Sequence, residues 1–214
     1  MLIPDWDMVV FFFQAEDGIR AFCLSRGLGD VYKRQLVERA LHASVEQKAK
    51  ESGTAPAIPF STEEAVSRFM AAYTPRATRL SRLFPGTEEA LHRLRAQGWL
   101  LAVCTNKPEK AARRILADFE LTSVFSAVGG GDSFAARKPD ARHLLGTIAQ
   151  AGGRAASSVM VGDMPPDYLA AEGAGCPFVF AGWGYGAPEL ARRAKASAPC
   201  MEDIPALLEQ AMPA

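Results

Sequence analysis

Four polar residues of this chain stand where short apolar runs give way to turns: Thr105 closing LLAVCT, Lys138 in ARKPD, and Asp163 with Asp167 in VGDMPPD. A phosphoryl group in transfer carries negative charge spread over its oxygens, and such charge is met by a hydroxyl donor, a fixed cation and a metal ion. Thr105 offers the first and Lys138 the second. Asp163 and Asp167, two carboxylates four residues apart after an apolar run, suit Mg2+, which takes oxygen ligands. Asn106 follows Thr105 and adds a side-chain amide and a backbone N–H toward an anion. Taken singly, each has a plainer explanation. A strand-end Thr caps turns, a Lys before Pro is usually solvated, and Asp residues serve in turns and in the first turn of helices.

Strands and helices must bring these residues together. FPGTEEALHRLRAQG reads as a helix ending at Gly98, followed by the apolar strand WLLAVCT. A helix over EKAARRILADF, a strand VFSAVGG and a helix around ARHLLGTIAQAGG come next. The strand SSVMVGD, the Ala-rich helix DYLAAEGAG and the strand CPFVFAG complete the alternation. Strands that alternate with helices and read as continuous apolar runs predict a doubly wound parallel sheet covered on both faces, an α/β fold. In such sheets ligands bind at the carboxyl ends of the strands, where all four residues fall. Residues 36–82 carry a different, helical pattern: Leu36, Val37, Ala40, Leu41 and Val45 recur at helical spacing. Ser61 with Glu64 forms a capping box ahead of Val66, Phe69, Met70 and Tyr73.

Composition excludes several classes. The 214 residues carry 24 basic and 24 acidic side chains, so no charge bias favours nucleic acid or an anionic membrane. Cys23, Cys104, Cys176 and Cys200 lack the spacing of a zinc site or a disulfide framework, which fits a reducing cytoplasm. The longest apolar run, Met8 to Phe13, is too short to span a bilayer and lacks the flanks of a secretory signal. A soluble, cytoplasmic protein is expected. A dinucleotide-binding domain would need G-x-G-x-x-G, which VGGGDSF at 128–134 does not match. A receiver-type signalling domain would be shorter and would carry its acidic pair early in the chain.

The ordered set of strand-end Thr, Lys-Pro and G-D-x-x-x-D resembles motifs two, three and four of the haloacid dehalogenase-like hydrolase superfamily. FPGTEEALHRLRAQGWLLAVCTNKP, GGDSFAARKPDARHLLGTI, VMVGDMPPD and WGYG are similar to its phosphoglycolate phosphatase branch, and this likeness is dense over roughly residues 83–190. The resemblance implies a Rossmann-like core with a partial helical cap, residues 36–82, inserted after the first strand. It also implies Mg2+-dependent hydrolysis of a small phosphorylated metabolite through an aspartyl-phosphate. Thr105 and Asn106 would bind the transferring phosphate, Lys138 would steady it, and Asp163 with Asp167 would hold the metal.

The family also requires D-x-D-G-T after the first strand. DMVVF, within residues 1–11, looks like that strand, which puts the two aspartates at positions 12 and 14, where Phe12 and Gln14 stand. Shifting the frame to AEDGI leaves Ala15 in place of the nucleophile. QAEDGIR resembles the translation of a common sequencing flow-cell adapter, and SRGLGDVYKRQ that of a transposase-type library adapter. Both occur in the correct order and frame, with one mismatch at Ala21, an index-length interval over Phe22 to Leu24 and a poly-T reading of Phe11 to Phe13. Residues 12–35 are therefore expected to be a chimeric insertion that replaced motif one and the first cap helix. The chain as written is expected to be an inactive phosphatase; the alternative is a non-catalytic pseudoenzyme or binding module.

Overall fold

The structure is a computed structural model, and it describes residues 8–11, 29–53, 61–73 and 82–211. These residues fall in two compact units, one within Met1–Ala15 and Arg82–Ala214 and the other within Glu16–Ser81.

The first unit is built on a six-stranded parallel sheet. Its strands are β1 (Met8–Phe11), β2 (Leu100–Cys104), β3 (Ala127–Gly129), β4 (Ser158–Gly162), β5 (Phe178–Ala181) and β6 (Ala196–Ala198), in the spatial order β3-β2-β1-β4-β5-β6. That order reverses direction beside β1, and such a switch point opens a crevice at the carboxyl ends of the strands. β1 is central, pairing Val10 with Ala102 on one side and with Met160 on the other.

Period-two alternation divides the sheet into two apolar layers. Leu101, Val103, Val159, Val161 and Val179 face one layer, which is completed by Leu91 and Leu94 of a helix at Thr87–Ala96, Leu116 of one at Glu109–Asp118, and Ile204 and Leu208 of one at Ile204–Ala211. Ala102, Cys104, Met160, Phe178 and Phe180 face the other, closed by Leu144 and Ile148 of a helix at Ala141–Gln150 and by Ala170 and Ala171 of one at Pro165–Ala174. Because both faces are covered, the strands carry apolar residues at nearly every position. The architecture is the α/β doubly wound sheet that the alternating pattern predicts.

The second unit contains α1 (Gly29–Ser52) and α2 (Thr62–Tyr73), which makes the helices listed above α3 to α7 in chain order. At the start of α2 the first half of the expected capping box is present, Ser61 Oγ accepting from the Glu64 amide at 3.1 Å, while the Glu64 carboxylate pairs with Arg68 one turn on at 2.7 Å. Val37 of α1 and Ala65 of α2 are buried. α1 begins seven residues inside the stretch that resembles adapter sequence, whereas residues 12–28 of that stretch lie outside the described residues. Among the described residues no helix is long and apolar enough to cross a membrane.

Candidate active site

Every residue singled out by its chemistry lies at the carboxyl edge of the sheet. Thr105 and Asn106 follow β2, Asp163 follows β4, Asp167 sits in the first turn of α6, and Lys138 belongs to the segment between β3 and α5. Thr105, Lys138, Asp163 and Asp167 are all buried, which is unusual for charged groups unless they are paired.

Lys138 supplies the pairing. Its Nζ donates to the Cys104 carbonyl at 2.6 Å and stands 2.7 Å from Asp167 Oδ1. One ammonium thus ties the end of β2 to the start of α6. The backbone around it is equally fixed: the Lys138 carbonyl accepts from Asn106 Nδ2 at 2.9 Å, the Lys138 amide donates to His143 Nδ1 at 3.1 Å, and the Lys138–Pro139 peptide is cis.

The two carboxylates divide their work. Asp167 Oδ2 accepts from the Met164 amide at 3.0 Å while Oδ1 takes the lysine, so both oxygens already have partners. Asp163 Oδ2 accepts from the Tyr185 amide at 2.7 Å and the Gly186 amide at 3.2 Å. Asp163 Oδ1 is buried without a hydrogen-bond partner. Burial pushes the Asp163 carboxyl above the usual carboxylate range; the Tyr185 and Gly186 amides oppose that rise, and the Asp167 charge adds to it. Close packing holds the arrangement. A Cβ at Gly162 would come within 2.6 Å of Asp167 Cβ, and one at Gly186 would overlap the Asp163 carbonyl.

Thr105 Oγ1 accepts from the Lys107 amide at 3.1 Å, an arrangement that leaves its hydroxyl proton available to an incoming anion. Asn106 Nδ2 donates one of its two protons to the Lys138 carbonyl, and its buried Oδ1 has no partner, so the side chain supports the lysine segment and keeps a second amide proton.

An Mg2+ ion fits this donor set. An unsatisfied, buried carboxylate oxygen at Asp163 calls for a cation, and Mg2+ is commonly held by one or two carboxylates with water or substrate phosphate filling its octahedron. Among the described residues no group of three or more His, Cys, Asp and Glu gathers.

Sequence reasoning missed His143. It is fully buried on α5, with Nδ1 toward the Lys138 amide and Nε2 3.2 Å from the Gly129 carbonyl. The signal available was an i, i+4 polar pair, His143 and Thr147, on a helix face otherwise carried by Leu144 and Ile148. Burial, reinforced by the Lys138 charge, holds the imidazole below its ordinary range, against the Gly129 and Gly130 backbone. The unfolded chain, with its imidazole near pKa 6.5, then binds more protons than the folded one between the two values. The stability that neutral His143 contributes is complete above about pH 6.5 and is lost as pH falls from there through the folded value. Urea denaturation at stepped pH is expected to show this decline. His143→Asn, which cannot titrate, should flatten it, and an unchanged slope would refute the assignment.

The profile of the family described as haloacid dehalogenase-like hydrolase matches residues 20–181, most of the chain. The chain belongs to that family. The match begins downstream of β1 and of positions 12 and 14, where the family's first motif would lie. Phosphoglycolate phosphatase of Agrobacterium fabrum is 48% identical over 118 residues, 55% of this chain and 51% of that protein. The enzyme of the same name from Caulobacter vibrioides is 37% identical over 155 residues, 71% of this chain and 64% of that one. The chain thus spans about half the length of the first of these haloacid dehalogenase-like relatives. Among solved structures, a predicted phosphoglycolate phosphatase from Haemophilus somnus has a TM-score of 0.70 at 24% identity, covering 94% of this chain and 97% of its own. A haloacid dehalogenase-superfamily hydrolase of subfamily IA from Geobacter sulfurreducens has a TM-score of 0.63 at 26% identity, covering 96% and 97%.

Proposed function

We propose that this chain carries the phosphate- and metal-binding half of a phosphomonoester hydrolase, phosphoglycolate phosphatase-like, and that as it stands it binds without turning over. The observation that carries this reading is the Lys138 ammonium, buried 2.7 Å from Asp167, together with a buried Asp163 oxygen that has no partner. A fixed cation and an unsatisfied carboxylate at the switch point of a doubly wound sheet suit a phosphoryl group and its metal. The names and identities of the phosphoglycolate phosphatases support phosphoglycolate, or a similarly small phosphorylated acid, as the ancestral substrate.

The residues take separate roles. The Thr105 hydroxyl donates to a phosphoryl oxygen and Lys138 balances its charge. Asp163, whose Oδ1 has no hydrogen-bond partner, would hold Mg2+, and Asp167 would act mainly by fixing Lys138. Bound Mg2+ supplies positive charge that polarises the phosphoryl oxygens. The covalent route needs a carboxylate that attacks phosphorus, forming an O–P bond as the bond to the leaving alkoxide breaks; a second carboxylic acid protonates that alkoxide and then activates water. Phe12 and Gln14 supply neither group. Residues 36–82 would be the counterpart of the family's helical cap, the part of such enzymes that selects the substrate's organic portion.

Calorimetric titration of the chain with inorganic phosphate, with and without Mg2+, tests the reading together with an assay on p-nitrophenyl phosphate. Weak Mg2+-dependent phosphate binding with hydrolysis at the uncatalysed level is expected, and Asp163→Ala should remove the Mg2+ dependence. Phosphate binding that ignores Mg2+ would leave a binding module of another kind.

A further inference from the structure

We infer that His143 is the positioning residue for the Lys138 ammonium, acting through the single acceptor lone pair of Nδ1. This rests on the reading of Lys138 as the phosphate-facing cation. The imidazole sits between two backbone groups with opposite demands. The Lys138 N–H points at Nδ1, which must therefore be unprotonated, and the Gly129 carbonyl faces Nε2, which must carry the proton. Only the neutral Nε2–H tautomer satisfies both. Burial and the Lys138 charge oppose a second proton on the ring, and the Phe134 ring packs at 5.7 Å between centroids.

The geometry ties α5 to the lysine from one side while Asn106 ties the end of β2 to it from the other. With its N–H and its C=O both held by side chains from different elements, the Lys138 backbone has no freedom to swing. The side chain then reaches the Cys104 carbonyl and Asp167 from a fixed origin. A ligand-binding cation gains from such support because its geometry is set before the anion arrives.

Two nearly isosteric variants separate positioning from packing. In His143→Asn the amide oxygen replaces Nδ1 and keeps the acceptor for the Lys138 amide; in His143→Gln the amide nitrogen replaces the Nε2 donor toward Gly129 and the Nδ1 acceptor is lost. The readouts are hydrogen exchange of the Lys138 amide, the Lys138 ammonium chemical shift, and the affinity for inorganic phosphate with Mg2+, all on the full chain. His143→Asn is expected to keep Lys138 amide protection and parental affinity, whereas His143→Gln loses the protection and weakens phosphate binding by about tenfold or more, the range typical of supporting partners. The reverse order, or equal behaviour of the two variants, would overturn the inference in favour of a purely structural histidine. If the parent chain binds no phosphate, the proposed function fails by itself. Lys138 amide protection and the ammonium shift then still decide the positioning role, and their survival in His143→Gln overturns it.

Discussion

Replacing residues 12–35 by a D-x-D-G-T segment and a complete first cap helix is expected to raise phosphomonoester hydrolysis by on the order of 10^5-fold, the scale on which a covalent nucleophile contributes. The reason lies in the register of the central strand. β1 ends at Phe11, paired with Val103 and Val161, so it stops two residues before the levels of Thr105 and Asp163 on its neighbours. An aspartate continuing that register at position 12 would stand level with Cys104 and Gly162, one residue short of Thr105 and Asp163. The rest of the edge is in place: Thr105 can donate, Lys138 is fixed, and Asp163 has an oxygen to offer. In the repaired protein, Asp163→Ala or Lys138→Ala should remove most of the restored rate. Sequencing across the junction in source genomic DNA is expected to read D-x-D-G-T in place of adapter. Equal rates before and after repair would sink this account and make Asp17 the first suspect as nucleophile.

Lys138→Met is expected to destabilise the fold by about 3–5 kcal/mol, the usual consequence of stripping one partner from a buried ion pair. Both side chains are 1% exposed, so Asp167 would be left buried without its ammonium partner. Pairing the change with Asp167→Leu removes that stranded charge, and the double variant should recover a large part of the loss. Urea denaturation followed by tryptophan fluorescence measures both. A single-variant cost below about 1 kcal/mol would mean that the pair behaves as a solvated one, contrary to its burial.

The core was legible because its signals were local and redundant. β2, β4 and β5 are apolar runs bounded by Gly, Thr or Asp, and α3 ends where its sequence changes period, with Gly98 at φ 93°. The site residues were legible because strand ends mark the ligand crevice whatever the ligand. β6 and α7 were not anticipated. β6 is Ala196–Ala198, three small residues on the sheet edge without the β-branched or aromatic side chains that identify strands. The division of labour between Asp163 and Asp167 was also invisible, since it depends on which oxygen meets Lys138 and which meets a backbone amide. His143 escaped because the polar pair it makes with Thr147 on an apolar helix face does not say which backbone groups the ring meets. The adapter-like stretch lies largely outside the described residues, and only its last seven residues enter α1.

The position of β1 between β2 and β4 sets a timetable for synthesis. Met8 must pair with Ser158, about 150 residues farther along the chain. At roughly 5–20 residues per second, the ribosome delivers that partner about 8–30 s after β1 leaves the tunnel. During this delay the apolar VVFFF run waits with unpaired backbone edges, a template for association with other nascent chains. Chaperone occupancy on β1 should therefore last until β4 has emerged.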